Sequence, residues 1–274
     1  MNKIKNIASI GGDSRQKYTV SKLCKNNYNV DTIKILDDNI DFYDAFILPL
    51  PVSIDKIHIN SSEITLKELT KKLGSNKIIF GGKISEEFKN NLIERKIKFY
   101  DYYLRDEFAL KNAEPTALGV LSFVMNSTKR SLSKLNVLVV GYGKCATAVC
   151  KIFNDLGACV TVASRRYLTV AQAESNGLNA CLIKDIMKHV TDSDIIINTV
   201  PSQILKKDFI DLINDRAIVI DISSSPYGFD YEYAKIAGKK IMLLPSIPGK
   251  YFPETAGEII ADTIMNIIEE GDFE

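Results

Sequence analysis

The sequence predicts an α/β protein built as two Rossmann-like domains with mostly parallel sheets. Three observations predict it. At 274 residues the chain exceeds the usual size of one domain. Short apolar runs alternate with helix-length amphipathic stretches almost throughout, the sequence form of βαβ units. The alternation then starts afresh near Lys134, with an apolar run leading into a glycine-rich turn.

The first series opens with the strand-like Ile4 to Ile10, turns at Gly11-Gly12-Asp13 and enters a helix from about Arg15. A strand near Val30, the apolar run Ala45 to Leu48, and strands near Lys77 to Phe80 and Lys98 to Tyr100 follow, separated by helical stretches around Leu66 to Leu73 and Glu86 to Arg95. A helix from Ala113 to Lys129, with Pro115 tolerated in its first turn, is expected to bridge the halves. The second series places strands at Asn136 to Val140, Cys159 to Ala163, Ile195 to Asn198, Ile218 to Asp221 and Lys240 to Leu244. The expected domains are therefore 1–130 and 131–253, with a last helix over 254–270 free to pack back on the first.

A hydrophobic share of 46%, a charged share of 25% and a net charge of +1 are those of an ordinary globular protein, with no broad field to attract nucleic acid or anionic lipid. The apolar stretch before Gly11 is too short for a signal region or a membrane span. Cys24, Cys145, Cys150, Cys159 and Cys181 form an odd set without metal-like spacing, which reads as reduced thiols in the cytoplasm and predicts no metal site.

The strand Val137 to Val140 runs into Gly141-Tyr142-Gly143-Lys144-Cys145-Ala146 and then a helix to about Leu156, which is G-x-G-x-x-A in the context the motif requires. Gly141 permits the tight turn, Gly143 lets a pyrophosphate approach bare backbone, and Ala146 lets the helix lie close on the strand. The helix start offers unpaired N–H groups to phosphate. A dinucleotide cofactor is expected here. The second strand ends Ala163-Ser164-Arg165-Arg166, where an NAD site usually carries an acid for the ribose hydroxyls. Ser164 can donate to a 2′-phosphate and Arg165 or Arg166 can pair with it, so NADP is expected over NAD. Cys145 reads as a spacer, since no base accompanies it.

Two further turns fall where strand ends face the ligand crevice of an open α/β sheet. Asn198-Thr199-Val200-Pro201 would touch the adenosine and pyrophosphate side, and Asp221-Ile222-Ser223-Ser224-Ser225-Pro226 would lie near the nicotinamide. Thr199, Val200, Pro201, Asp221 and Ser223 are thus added to the cofactor residues, although such residues are also common in plain turns.

Together with Gly11-Gly12-Asp13-Ser14-Arg15-Gln16, Leu50-Pro51-Val52-Ser53, Asn112 to Gly119 and Pro248-Gly249-Lys250-Tyr251-Phe252-Pro253-Glu254-Thr255-Ala256-Gly257, these motifs resemble the A-subunit family of dipicolinate synthase along almost the whole chain. The resemblance implies oxidation of a dihydrodipicolinate-type ring, or of its hydrated precursor from the lysine pathway, to dipicolinate with reduction of NADP. It also implies, as partner, a flavoprotein-like B subunit, with expression in the mother cell during sporulation, and it leaves assembly with further copies of the chain open. Where the family carries Pro-Thr-Ala-Glu-Gly, this sequence has Leu118 in the acidic position.

For a dicarboxylate, the candidate clamps are Asp13, Arg15, Ser53 and Thr116, with Ala117 and Gly249 added from the family motifs. Arg15 can hold a carboxylate bidentately and Thr116 can donate from a helix start. Arg15, Thr116 and Glu114 are the catalytic candidates. Asp13 serves equally as an N-cap. The two histidines, His58 and His189, are weak candidates for the base, since surface and structural histidines are the commoner outcome. Two rival readings keep the fold: an NADP-dependent dehydrogenase of another small acid, and a nucleotide-binding protein without catalysis of its own.

Overall fold

The computed structural model describes residues 4–271 and divides the chain into two units, Met1–Asn112 with Pro248–Glu274, and Ala113–Ile247. The first unit holds five strands, β1 (Asn6–Ile10), β2 (Asn29–Ile33), β3 (Ala45–Ile47), β4 (Ile78–Gly81) and β5 (Lys98–Asp101). They pair all-parallel in the order β2-β1-β3-β4-β5, with Ile7 opposite Val30 and Ala45. Its helices are α1 (Ser14–Lys25), α2 (Leu66–Lys72), α3 (Glu86–Glu94), α4 (Asp106–Lys111) and, from the far end of the chain, α12 (Pro253–Glu270).

Successive strand residues point to opposite faces, and a parallel sheet buried on both faces needs both sets apolar. Ala8, Ile10, Phe46, Leu48 and Ile79 pack with Leu69, Phe88 and Leu92 of α2 and α3. Ile7, Ala45, Ile47, Ile78 and Phe80 pack with Leu23, Phe108 and the row Ile260, Ile264, Ile267 of α12. At Gly257 a Cβ would collide with the Arg15 carbonyl, so α12 and α1 approach backbone to backbone, and Thr19 Oγ1 donates to the Gly257 carbonyl at 2.9 Å.

The second unit begins with α5 (Ala113–Ser127) and continues β6 (Asn136–Val140), α6 (Lys144–Asp155), β7 (Cys159–Ser164), α7 (Tyr167–Ser175), β8 (Asn179–Leu182), α8 (Met187–Val190), β9 (Ile195–Asn198), α9 (Lys207–Asp211), β10 (Ile218–Asp221), α10 (Tyr231–Ile236) and β11 (Ile241–Leu243). The short helix α11 (Ile247–Tyr251) carries the chain across the unit boundary. The strand order β11-β10-β9-β6-β7-β8 is all-parallel and reverses direction of progress between β6 and β9, the doubly wound dinucleotide-binding order.

The structure departs from the sequence expectations at two points. The helix α5 clusters with the second unit and not at the end of the first, because Ala117, Val120 and Val124 recur at helical spacing and bury against Val149, Phe153 and the β6 face. The sheet also has a sixth strand, β8, an edge strand with no fully buried residue.

Candidate functional site

In the second unit the turn after β6 is held from two sides. Gly141 has φ +99°, and a Cβ there would collide with Thr199 Oγ1 and lie 2.9 Å from Val200 Cγ2. Thr199 Oγ1 in turn donates to the Val140 carbonyl at 2.8 Å, and the Gly141 N–H donates to the Ala163 carbonyl at 2.9 Å. Thr199 and Val200 therefore brace the turn. Gly143 differs: its φ is −85°, it is exposed, and a Cβ built on it meets nothing within 4 Å. As N-cap of the twelve-residue α6 it provides no side-chain bond, and the space beside its own α-carbon is open. Ala146, by contrast, is fully buried under α6. Such an open, uncapped helix start with room for atoms at the glycine suits a phosphate of a dinucleotide.

Around this turn the half-buried Tyr142 accepts a hydrogen bond from Asn176 Nδ2 at 3.0 Å, and Lys144 stands exposed. Burial raises the Cys145 thiol above its ordinary pKa, against the opposing Thr116 hydrogen bond and the Lys144 charge. A thiol so shifted is a poor nucleophile at neutral pH. At the end of β7, Ser164 is buried, while Arg165 and Arg166 are exposed at the start of α7. No hydrogen bond or ion pair ties either guanidinium to another described residue.

The turns after β9 and β10 interlock through one buried carboxyl group. Asp221, with no exposed surface, accepts from Asn198 Nδ2, the Ser223 N–H and the Gly228 N–H, each at 2.9 Å, and from Tyr231 Oη at 3.0 Å. Burial, then the Asp221 charge, pushes the Tyr231 phenol well above its usual range. Asp221 thus lies beneath its loop, a correction to its expected contact with cofactor. Its work is to fold the segment from Ser223 to Gly228, with Asn198 as its partner, a role the sequence reading missed. Gly228 packs so closely on the Asn198 amide that no Cβ fits. Ser223 is buried, and its Oγ has no hydrogen-bond partner among the described residues. Pro201 is exposed.

The candidate dicarboxylate residues are divided between the two units. In the first unit, Arg15 is 8% exposed and spends its fork on Asp13, with Nε to Oδ1 at 2.9 Å and Nη2 to Oδ2 at 2.7 Å, while Nη2 also donates to the Leu50 carbonyl. Burial pushes the Asp13 carboxyl up, but the hydrogen bonds and charge of Arg15 outweigh it and hold the group below its usual range. Asp13 also caps α1 by accepting from the Arg15 N–H. Gly249 is where α11 lies against Arg15, since a Cβ would sit 2.9 Å from Nε. Two of the three guanidinium nitrogens, Nε and Nη2, are thus engaged within the first unit. Ser53 donates at 3.1 Å to Asp55, whose other oxygen pairs with His58 Nδ1 at 2.7 Å. Asp55 escaped the sequence reading although the D-x-x-H spacing was visible.

In the second unit, Thr116 is buried beside Cys145 and Glu114 is exposed on the first turn of α5. Ala117 has no exposed surface and belongs to the core, which corrects its expected substrate contact.

The two units also differ at their first helix starts. In the first, a Cβ at Gly11 would collide with the Asn60 carbonyl, which also takes the Gly12 N–H at 2.8 Å, and Asp13 puts a carboxylate on the helix start. Chain and negative charge fill the space that α6 leaves open.

Fold and glycine turn are those of a dehydrogenase-type Rossmann protein. The Shikimate / quinate 5-dehydrogenase family matches residues 124–242, and D-lactate dehydrogenase from Escherichia coli shares the fold with a TM-score of 0.66 at 14% identity, covering 97% of each chain. The particular likeness is to the A subunit of dipicolinate synthase. The family of that protein's N-terminal domain matches residues 6–103, and the Bacillus subtilis (strain 168) protein is 28% identical, covering 96% of each chain. The crystal structure of the Bacillus halodurans protein superposes with a TM-score of 0.87 at 25% identity, over 98% of this chain and 99% of that one. The chain is a relative of the dipicolinate synthase A subunit along nearly its whole length. No helix among the described residues is long and apolar enough to cross a membrane, and no described cluster of His, Cys, Asp and Glu could hold a metal ion.

Proposed function

We propose that the chain is the NADP-dependent component of a dipicolinate-forming oxidoreductase, acting on a dihydrodipicolinate-type ring or its hydrated tetrahydro precursor. The observation that carries the reading is the open, uncapped start of α6 at Gly143, set within a chain related throughout to the A subunit of dipicolinate synthase. A bound nicotinamide dinucleotide supplies the hydride acceptor. The residues of this chain that would hold it are Gly141, Gly143 and the first amides of α6 at the pyrophosphate, with Tyr142, Lys144, Val200 and Pro201 around them and Cys145 as spacer. Ser223, with its unsatisfied hydroxyl, would serve the carboxamide side. Arg165 and Arg166, exposed and unpaired beside Ser164, favour a 2′-phosphate and hence NADP over NAD.

Substrate recognition in this reading falls to polar groups of the first unit, with Asp13 and Arg15 holding the turn after β1 in shape and Ser53 and its neighbours nearer the ligand. Thr116 and Glu114 remain proposed contributors from α5. The partner would be the B subunit of the same synthase, and the setting the cytoplasm of the mother cell during sporulation on a branch of the lysine pathway. The test is a dipicolinate absorbance assay with NADP, on the chain alone and with a candidate B subunit. Simultaneous appearance of dipicolinate and NADPH is expected. Absence of both in both samples, with NADP still bound, would favour a non-catalytic nucleotide-binding role; NADP reduction only with another small acid would favour that substrate.

A further inference from the structure

In the first unit, the helices α2 and α3 and the segment before α2 border an open groove of about 410 Å³. Leu66 and Phe88 form an apolar lining and are themselves buried in the core, while Ile57 on the same lining is 59% exposed. The charges on the groove are three cations, Lys56, Lys67 and Arg95, against one acid, Glu87. Lys56 and Lys67 form no ion pair among the described residues, and the Arg95 guanidinium makes one long hydrogen bond, from Nη1 to the Thr70 carbonyl at 3.4 Å. The neighbouring acids are already engaged. Glu68 closes the capping box of α2 by accepting from Thr65 Oγ1 at 2.7 Å and its N–H at 2.9 Å, and Glu86 pairs with Lys89 at 2.7 Å. The positive excess of the groove is therefore not neutralised within the unit.

Asn91 adds an independent observation. It lines the same groove from α3, and its Oδ1 is closed off from solvent with no hydrogen-bond donor among the described residues, a state that buried carbonyl oxygens seldom keep. The groove thus calls for negative charge, an apolar side chain and an N–H donor together. An acidic peptide segment with an apolar anchor supplies all three, because its backbone brings the N–H. An aliphatic acid brings the first two and no N–H. The larger cleft of the same unit, about 590 Å³, sets the carboxylates of Asp55 and Glu63 against the ammonium of Lys34, beside His58, and offers such a segment no net attraction.

We propose that the groove between α2 and α3 docks an acidic, apolar-anchored segment of a partner protein. Its carboxylates meet Lys56, Lys67 and Arg95, its apolar side chain seats on Leu66 and Phe88 next to Ile57, and a backbone N–H donates to Asn91. In such an interface the exposed charges steer the encounter and select the partner's sign, while the apolar anchor holds the complex once formed. The inference stands on the first unit alone and does not depend on the oxidation proposed above.

Fluorescence anisotropy on the full chain tests it with two labelled synthetic peptides of equal length, one built of Glu and Asp around a central Leu and Phe, the other with Lys in place of every acid. The acidic peptide is expected to bind about 10-fold or more tightly than the basic one at low salt, and progressively less tightly as salt screens the charges. Lys67→Glu combined with Arg95→Gln is expected to weaken the acidic peptide by about 10-fold or more. Both side chains are exposed, and an acid in the first turn of α2 suits the helix dipole, so the variant should fold, which an unchanged Tm checks. Asn91→Leu, which removes the unsatisfied oxygen, is expected to weaken the peptide about threefold or more while its salt dependence stays. Equal binding of the two peptides, or an acidic peptide bound by the double variant as by the wild type, overturns the proposal. Octanoate bound in the groove, and lost in the double variant, while the acidic peptide does not bind overturns it in favour of a small amphipathic acid.

Discussion

Replacing Gly143 by Ser separates cofactor binding from folding. The backbone at 143 has φ −85°, open to any residue, and a Cβ there meets no protein atom within 4 Å. Ser is among the favoured N-caps, so G143S should fold at least as stably as the wild type. The added atoms occupy the approach to the first amides of α6, and the serine oxygen takes one of those N–H groups for itself. Losing one charge-assisted hydrogen bond costs about 1.5–3 kcal/mol, which converts to roughly 10-fold to 100-fold in Kd. Gly141→Ala is the matched control, with a left-handed φ and a collision with Thr199 Oγ1. It should destabilise by about 1–3 kcal/mol. Thermal unfolding and titration of NADPH fluorescence read the two effects separately. A G143S protein that binds NADPH like the wild type would refute the phosphate turn.

Other outcomes follow from particular contacts. Arg165→Ala with Arg166→Ala should weaken NADP about tenfold or more while leaving NAD affinity nearly unchanged in calorimetry, as loss of charge-assisted bonds to a 2′-phosphate requires; equal losses would remove the arginines from cofactor selection. Gly228→Ala forces a Cβ onto the Asn198 amide and should lower stability by about 1–3 kcal/mol or more, read as a fall in Tm. Because Arg15 depresses the Asp13 carboxyl, its contribution is present above the unfolded value, near pH 4, and fades as pH falls through the lower folded value. Asp13→Asn should therefore be less stable than wild type at neutral pH and converge on it in acid, which paired urea melts at pH 7 and pH 3 would check.

Where side-chain periodicity carries the information, the sequence was legible. The strands Asn136–Val140, Ile195–Asn198 and Ile218–Asp221 fall where their continuous apolar runs put them, because both faces of a parallel sheet must be apolar. The edge strand β8 escaped notice because Asn179 to Leu182 is only half buried and carries no such run. The glycine turn was readable because each of its small residues answers a local steric need. Roles set by distant partners were not. Asp221 looked like a ligand contact from its position, and only its four donors, spread from Asn198 to Tyr231, reveal a scaffold. Arg15 looked like a free clamp until Asp13, two residues away, was seen to occupy it. For His58 the partner was three residues distant, but the cleft beside it comes from the ends of β1 and β2.

The row Ile260, Ile264 and Ile267 completes one face of the first unit's sheet from the chain's last helix. During synthesis, then, the earlier-made half must wait. Residues through 112 leave the ribosome with that greasy face bare, whereas 113–247 are continuous and can close as soon as they emerge. The later-encoded unit matures first, and the nascent first unit is the part that a chaperone would meet.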